Sequence, residues 1–384
     1  MATSEHIGAA QAPDGAVTEM DAVILVGGRG TRLRPLTVST PKPMLSTAGY
    51  PFLQHLLARI AAAGMRHVVL GTSYRAEVFE QYFGDGSDFG LDIEYVVEEE
   101  ALGTGGAIRN VADKLRHDTA MVFNGDVLSG ADLGAILRTH EEADADVTLH
   151  LVRVPDPRAF GSVPTDEDGR VLAFLEKTED PPTDQINAGC YVFKREVIEQ
   201  IPAGRVVSVE REVFPGLLAD GARVMGHVDS SYWRDMGRPS DFVQGSSDLV
   251  RGIAPSPLLT GRTGESLVDP SAGVAAGVIL VGGSAVGRGS VVGAGSRIDG
   301  CVIFDGVTIE PGAIIQNSII ASGARIGANT RIEAWWARVR ASAHAVSSRA
   351  ECVFGRGWTS RTRECVSRRM RKRHAESAGL VVFA

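Results

Sequence analysis

The chain reads as an α/β protein in which a Rossmann-like, doubly wound domain is followed by a parallel β-helix. Three observations predict this. Short apolar strands alternate with amphipathic helices from Asp21 to Arg153, the pattern of a mostly parallel sheet covered on both faces. A glycine-rich loop and an Asn-Gly-Asp triplet fall at the carboxyl ends of two such strands, where ligands bind in open α/β sheets. Beyond residue 270 the apolar period changes to six, which neither a helix nor a simple strand gives, and which marks a solenoid of short strands.

Residues 1–20 are small, polar and aperiodic and read as a flexible leader. Asp21-Ala-Val-Ile-Leu-Val26 is a continuous apolar run, as expected of a strand buried on both faces. Pro51–Ala63 has helical spacing (Phe52, Leu53, Leu56, Leu57, Ile60) and stops at Gly64. His67–Leu70 predicts a strand, Glu77–Phe83 a helix, Ile93–Val97 a strand, Gly106–Leu115 a helix and Ala120–Asn124 a strand. Asp132 is placed to cap a helix ending at Ala143, and Val147–Arg153 predicts a further strand. Residues 21–252 form this α/β domain. A linker over 253–270 follows, centred on the Pro-, Gly- and Ser-rich stretch Pro255–Gly264.

The β-helix is expected over 271–333. Its repeat positions are Val274, Leu280, Val286, Val292, Ile298, Ile303, Ile309, Ile315, Ile320, Ile326 and Ile332, with Gly following Val286, Val292 and Ile326. The next step falls on Arg338, and the pattern stops at Ala334-Trp335-Trp336.

The formal net charge is −8 over 384 residues. Residues 334–384 hold 11 Lys and Arg against 3 Glu, which leaves −16 for residues 1–333. The tail also holds three of the four Trp and no Ile. A basic tail ordinarily suggests nucleic acid or membrane. Here it begins where a repeat breaks mid-coil, and its composition is that of a GC-rich gene read out of frame. One choice of GC-rich codons for Gly355–Arg371, read two bases later, spells ARVDVPDAGVRFSSD. The expectation is therefore a frameshift near Glu333, with no nucleic-acid or membrane partner. No apolar run approaches a membrane span, and the first twenty residues lack a basic start with an apolar stretch. Four scattered cysteines make neither a disulfide framework nor a C-x-x-C metal site. A cytoplasmic setting is expected.

The strongest local signal is Gly27-Gly28-Arg29-Gly30-Thr31-Arg32-Leu33-Arg34-Pro35, continuing to Pro41-Lys42-Pro43. Glycines after a buried strand let backbone N–H groups approach phosphate oxygens, and Arg32 and Lys42 can bracket a triphosphate. No Gly-Lys-Ser/Thr closes the loop as in a Walker motif, and Leu33 stands where a dinucleotide fingerprint needs Gly. The pattern Gly-Gly-x-Gly-Thr-Arg-Leu-x-Pro-Leu-Thr resembles the signature loop of the nucleoside-diphosphate-sugar pyrophosphorylases. Further segments follow in the family's order: Glu99–Gly106, Phe123–Asp126, Phe160-Gly161, Phe174–Lys177, Asn187–Phe193 and Tyr232–Gly237. The resemblance covers residues 21–333 and implies a left-handed β-helix.

It also implies site residues. Arg32 and Lys42 are catalytic. Leu25, Gly27, Gly28, Gly30, Thr31, Gly103 and Thr104 bind nucleotide. Gly161, Glu176, Lys177 and Asn187 bind the sugar phosphate. Asp126 and Asp235 hold Mg²⁺. Asn-Gly-Asp, Asn-Ala-Gly-Cys-Tyr and the hexapeptide region are most similar to members that make GDP-mannose from GTP and mannose-1-phosphate, and a homo-oligomer is expected.

The chemistry accounts for these residue types. A sugar-1-phosphate oxygen is already an anion, so in-line attack on an α-phosphorus needs positioning and charge neutralisation rather than a Ser, Cys or base. Three other readings stand beside this one: a glucose-1-phosphate thymidylyl- or uridylyltransferase, a non-catalytic sensor of nucleotide sugar, and an acyltransferase in the β-helix. The last needs a His base, and none occurs from Val274 to Ile332. Cys190 and Cys301 are expected to be core residues, and Trp233 to pack.

Overall fold

Strand β1 (Asp21–Leu25) is buried through Ile24, as its apolar run requires, in a computed structural model that describes residues 19–333 except 29 and 74, and also Val382–Phe383. It leads through the glycine loop to a small antiparallel hairpin, β2 (Ser46–Thr47) and β3 (Tyr50–Pro51), and then to β4 (His67–Thr72), β5 (Asp92–Val97) and β6 (Thr119–Asn124). These strands make a parallel block in the order β6-β1-β4-β5.

Helices α1 (Phe52–Ala62), α2 (Ala76–Phe83) and α4 (Leu133–Glu142) cover one face. Leu53, Leu57, Phe79 and Ile136 pack there on Ile24, Leu70 and Phe123. Helix α3 (Gly103–Asn110) covers the other, with Ile108 against Val23, Val69 and Val122. Each such fully buried side chain contributes about 1.5–3 kcal/mol relative to exposure. Asp132 caps α4, its carboxylate accepting from Ala135 N at 3.0 Å.

One expectation is corrected. The helix expected at Gly106–Leu115 starts at Gly103, ends at Asn110 and is followed by a separate turn at Ala112–Lys114. Its glycines do not break it, because they lie against the backbone of residues 205–209. The sheet is mostly parallel, as expected, with a reversal that the sequence did not signal. After β7 (Val127–Ser129) and β8 (Val147–Arg153) come the edge strands β9 (Gly161–Ser162) and β10 (Leu175–Glu176), and then β11 (Gln185–Lys194). β11 runs antiparallel to both β6 and β8. Helices α5 (Arg195–Gln200) and α6 (Phe214–Ala219) precede β12 (Val224–Asp229), which pairs with β8. β13 (Trp233–Asp235) forms a ribbon with β7. Helix α7 (Pro239–Arg251) completes the domain.

The β-helix has three parallel faces. In register, Val274 stacks under Val292, Ile309 and Ile326, Leu280 under Ile298, Ile315 and Ile332, and Val286 under Ile303 and Ile320. One coil therefore takes 17 or 18 residues, three repeats of about six. From Val286 onward all nine repeat positions are at most 3% exposed. Val274, in the first coil, is 40% exposed. The first stacked strand is Ser266–Val268, inside the stretch read as linker. Cys190 and Cys301 are buried, with the thiol pKa of each pushed up to about 12 by that burial. Val382–Phe383 pairs antiparallel with Ile319–Ile320. Residues 1–18, Arg29, Tyr74, residues 334–381, Ala384 and the frameshift expected in the tail lie outside the described residues, while Met20, within the expected leader, is buried in the core.

Candidate active site

The loop after β1 is shaped by what anchors it. Leu33 and Leu36 are buried in a core shared with Phe242 and Leu249 of α7, so the residues between and before them face outward and Arg32 is exposed. Gly30 has a φ of 55°, and a Cβ there would lie 3.0 Å from Thr37 Cγ2 and 3.1 Å from Lys42 Cβ. Its carbonyl accepts from Thr37 Oγ1 at 2.8 Å. Gly27 is pinned by Ser73 Oγ, which donates to its carbonyl at 2.6 Å. A Cβ on Gly28 would meet nothing within 4 Å, so this is the open side of the loop. Thr31 opens the turn that carries Arg32, and Leu25 ends the strand beneath.

Asp126, in the turn just before β7, and Asp235, the last residue of β13, are brought together by the β7/β13 ribbon. Met236 N donates to Asp126 O at 3.0 Å, and Asp235 stands opposite Val127. Gly125 makes the approach possible, because a Cβ there would lie 2.8 Å from Leu25 O. Lys42, 6% exposed, reaches between the carboxylates. Its Nζ lies 2.9 Å from Asp126 Oδ2 and 3.9 Å from Asp235 Oδ1. The Arg32 guanidinium lies over Gly237, where a Cβ would be 2.9 Å from Nη2. Burial raises the pKa of Asp235 and the charge of Asp126 adds to this, against the opposing pull of Lys42 and Arg32. The expected cations and carboxylates therefore meet at one place.

The residues expected to meet the sugar phosphate lie on neighbouring strands. Gly161 and Glu176 pair across β9 and β10, and a Cβ on Gly161 would lie 3.1 Å from Glu176 Oε2. Lys177 is largely exposed and lies 3.4 Å from Glu176. Phe160 stacks edge-on against Trp233 at 5.2 Å, which joins these strands to β13, and Trp233 Nε1 donates to Ala188 O at 2.9 Å. Asn187 is turned by a bulge in β11, donates to Tyr191 Oη at 2.7 Å and accepts from Gly189 N at 3.0 Å. Bulges commonly re-aim a side chain beside a site.

Gly103 and Thr104 have a visible structural occupation. A Cβ on Gly103, at φ 72°, would lie 2.6 Å from Val207 O. The Thr104 hydroxyl donates to Glu210 at 2.7 Å and accepts from Val209 N at 2.9 Å. Sequence reasoning missed Glu98, buried at the end of β5, with its carboxyl pKa raised by burial and its Oε2 accepting from Leu102 N. Its place at a strand end was the available signal. It also missed Arg234, whose place in the Tyr232–Gly237 segment was the signal, and Asp248, which had none.

Among the described residues, no group of three or more His, Cys, Asp and Glu is placed to hold a metal. The Asp126/Asp235 pair nonetheless suits a hard divalent cation. Two carboxylates converge on one positive group, and Mg²⁺ is commonly held by one or two carboxylates with substrate phosphates completing the shell. No helix among the described residues is long and apolar enough to cross a membrane.

A buried-strand α/β domain with a cationic glycine loop facing two carboxylates is the design of an enzyme that handles nucleotide phosphates. The nucleotidyl transferase family model matches residues 21–252, and the chain belongs to that family. A second model, the GMPPB C-terminal domain, matches residues 262–370. The chain is 71% identical over 274 residues to mannose-1-phosphate guanylyltransferase of Mycobacterium tuberculosis, covering 71% of this chain and 76% of that protein. It is 37% identical to the catalytic subunit beta of mannose-1-phosphate guanylyltransferase of Drosophila pseudoobscura, covering 67% and 71%. HddC of Yersinia pseudotuberculosis, solved with GMP-PN, is similar at a TM-score of 0.53 and 30% identity, over 60% of this chain and 99% of that one.

Proposed function

We propose that this chain transfers GMP from GTP to mannose-1-phosphate, forming GDP-mannose and releasing pyrophosphate. The observation that carries the reading is the meeting of Lys42, Asp126 and Asp235 at the carboxyl ends of β1 and β6, under the loop that bears Arg32. A phosphate oxygen of the sugar phosphate attacks the α-phosphorus. The bond from that phosphorus to the bridging oxygen of the β-phosphate breaks, and pyrophosphate leaves in line.

Arg32, exposed on its turn, neutralises charge on the transferring and leaving phosphates. Lys42 does so from the opposite side. The open face at Gly28, with Leu25, Gly27, Gly30 and Thr31 around it, lets backbone N–H groups approach the triphosphate, and Gly103 and Thr104 border the nucleoside. Gly161, Glu176, Lys177 and Asn187 receive the sugar phosphate, Glu176 and Asn187 through hydroxyl hydrogen bonds and Lys177 through charge. Mg²⁺, held by Asp126 and Asp235, would supply further neutralisation of the phosphates. The guanine and mannose assignments are supported by the names of the relatives and by the GMP-PN complex of HddC. The β-helix serves stability and assembly of a soluble, cytoplasmic homo-oligomer.

The test is pyrophosphate release by purified protein from mannose-1-phosphate with each NTP in turn. Turnover with GTP well above the others is expected. Equal rates with all four, or none with GTP, would overturn the reading.

A further inference from the structure

Three consecutive residues of α7 tie together three parts of the molecule that the site needs in register. Ser246 Oγ accepts from Ala48 N at 3.1 Å, in the hairpin that follows Lys42. Ser247 Oγ donates to Gly282 O at 2.6 Å, in a turn of the β-helix. Asp248, 3% exposed, faces the strand that carries Asp235. Its Oδ2 accepts from Tyr232 Oη at 2.6 Å and lies 3.5 Å from Arg234 Nη2, and its Oδ1 accepts from Gln244 Nε2 at 2.8 Å. Arg234 also donates through Nε to Tyr232 Oη at 3.0 Å and lies 3.5 Å from Asp241.

Successive side chains of a strand point to opposite faces. Trp233 and Asp235 therefore share one face of β13, where Trp233 is held by Ala188 O and Phe160. Arg234 is on the other face and is held by Asp248 and Tyr232. The short strand is thus fixed from both sides, and its last residue is Asp235.

We propose that Asp248 is a positioning residue for the phosphoryl-transfer site: through Arg234 it sets the rotation of β13 and hence the place of the Asp235 carboxylate beside Asp126 and Lys42. Asp248 touches no reacting group. A one-residue slip or a rotation of so short a strand would turn Asp235 out of the site, and the paired Arg234–Asp248 charges prevent it. The inference rests on the reading that Asp235 helps to hold the divalent ion.

The experiment measures Mn²⁺ binding to the full-length protein by electron paramagnetic resonance, alongside kcat, KM and thermal unfolding, for wild type, D235N, D248N, R234Q, D248N/R234Q and S247A. Partners one shell behind a metal ligand typically change metal affinity by about 10–100-fold. D248N and R234Q are each expected to weaken Mn²⁺ by about 10-fold and to lower kcat with KM for both substrates within about two-fold. The double variant should bind Mn²⁺ no worse than the more affected single one, because the proposed effect on Asp235 runs through the contact the two residues share. S247A should lower the unfolding temperature and leave Mn²⁺ binding unchanged. Mn²⁺ binding lost in D235N but intact in folded D248N and R234Q would overturn the positioning role alone. Unchanged binding in D235N would overturn the metal assignment, and this proposal with it.

Discussion

Lys42 Nζ donates to Asp126 at 2.9 Å while standing 3.9 Å from Asp235, so one buried ammonium holds two carboxylates that would otherwise repel. Arg32, by contrast, is exposed on its turn. The two cations therefore differ in what their loss should do. R32A is expected to lower turnover by about 100-fold or more, the usual cost of one transition-state electrostatic contact, with little change in unfolding temperature. D126A should lower turnover as far. K42A should lose both activity and stability, because it leaves two carboxylates without their buried partner. Steady-state rates and thermal unfolding of the three variants check this, and near-normal turnover in R32A or D126A would remove the assigned role.

Chelation separates the ion's contribution from the fold's. EDTA treatment is expected to stop pyrophosphate release, and added Mg²⁺ to restore it. The unfolding temperature should scarcely move on chelation, because Lys42 already neutralises much of the carboxylate pair. Full turnover in chelated enzyme would count against Asp126 and Asp235 as metal ligands.

The parallel block was legible in the sequence because runs such as Ala22-Val-Ile-Leu admit few alternatives, and the β-helix because eleven positions keep one period. The cationic loop, Asp126 and Asp235 were legible as motifs. The reversal at β11 was not, since an apolar strand reads alike in either direction. The role of the glycines after Leu102 was not either. Gly103 reads as a nucleotide-binding residue and Gly106 as the start of a helix, yet a Cβ on either would collide with the backbone carbonyls of Val207 and Arg205 respectively, contacts a hundred residues away in sequence. Asp248 carried no pattern, because a positioning residue is defined by what it touches.

Two glycines make a controlled comparison. G103A places a methyl 2.6 Å from a carbonyl oxygen at a positive φ, and overpacking of this kind costs typically about 1–3 kcal/mol. G28A meets nothing within 4 Å and has no positive φ. It should leave stability unchanged within about 0.5 kcal/mol and raise KM for the nucleotide by crowding the phosphate approach. Urea unfolding and nucleotide KM distinguish the two, and an equal stability loss in both would refute the distinction.

The reading-frame expectation has a direct test in the gene. Successive sheet positions at Val286, Ile303 and Ile320 are 17 residues apart, so the next falls at Ala337-Arg338, where the apolar pattern has ended. We propose that the frame shifts near Glu333, and that resequencing this codon region will restore an apolar residue there. The C-terminal-domain match runs on to residue 370, and an unaltered frame would make the basic tail a genuine part of this chain.

Acid should unfold the protein through its histidines before its carboxylates. Burial pushes the His55 pKa down to about 4, with Thr47 O and Ser256 Oγ as ring partners. Burial first, and then the Lys194 charge, push His140 down to about 4. Unfolding returns each ring to its ordinary value of 6.5, so the unfolded chain binds the proton first. The stability from these neutral rings is complete above pH 6.5 and is lost as pH falls towards 4, at up to about 1.4 kcal/mol per pH unit for each. Asp21 behaves oppositely. Burial favours its protonated form, but hydrogen bonds from His67, His117 and Arg116 outweigh this and hold it at about 2. Its contribution is complete above pH 3.8 and is lost as pH falls from there towards 2. Urea unfolding at pH 8, 6.5 and 5 should show a steady fall below 6.5, with a shallower slope in H140Q. A flat profile from pH 8 to 5 would mean that neither histidine is held neutral by burial.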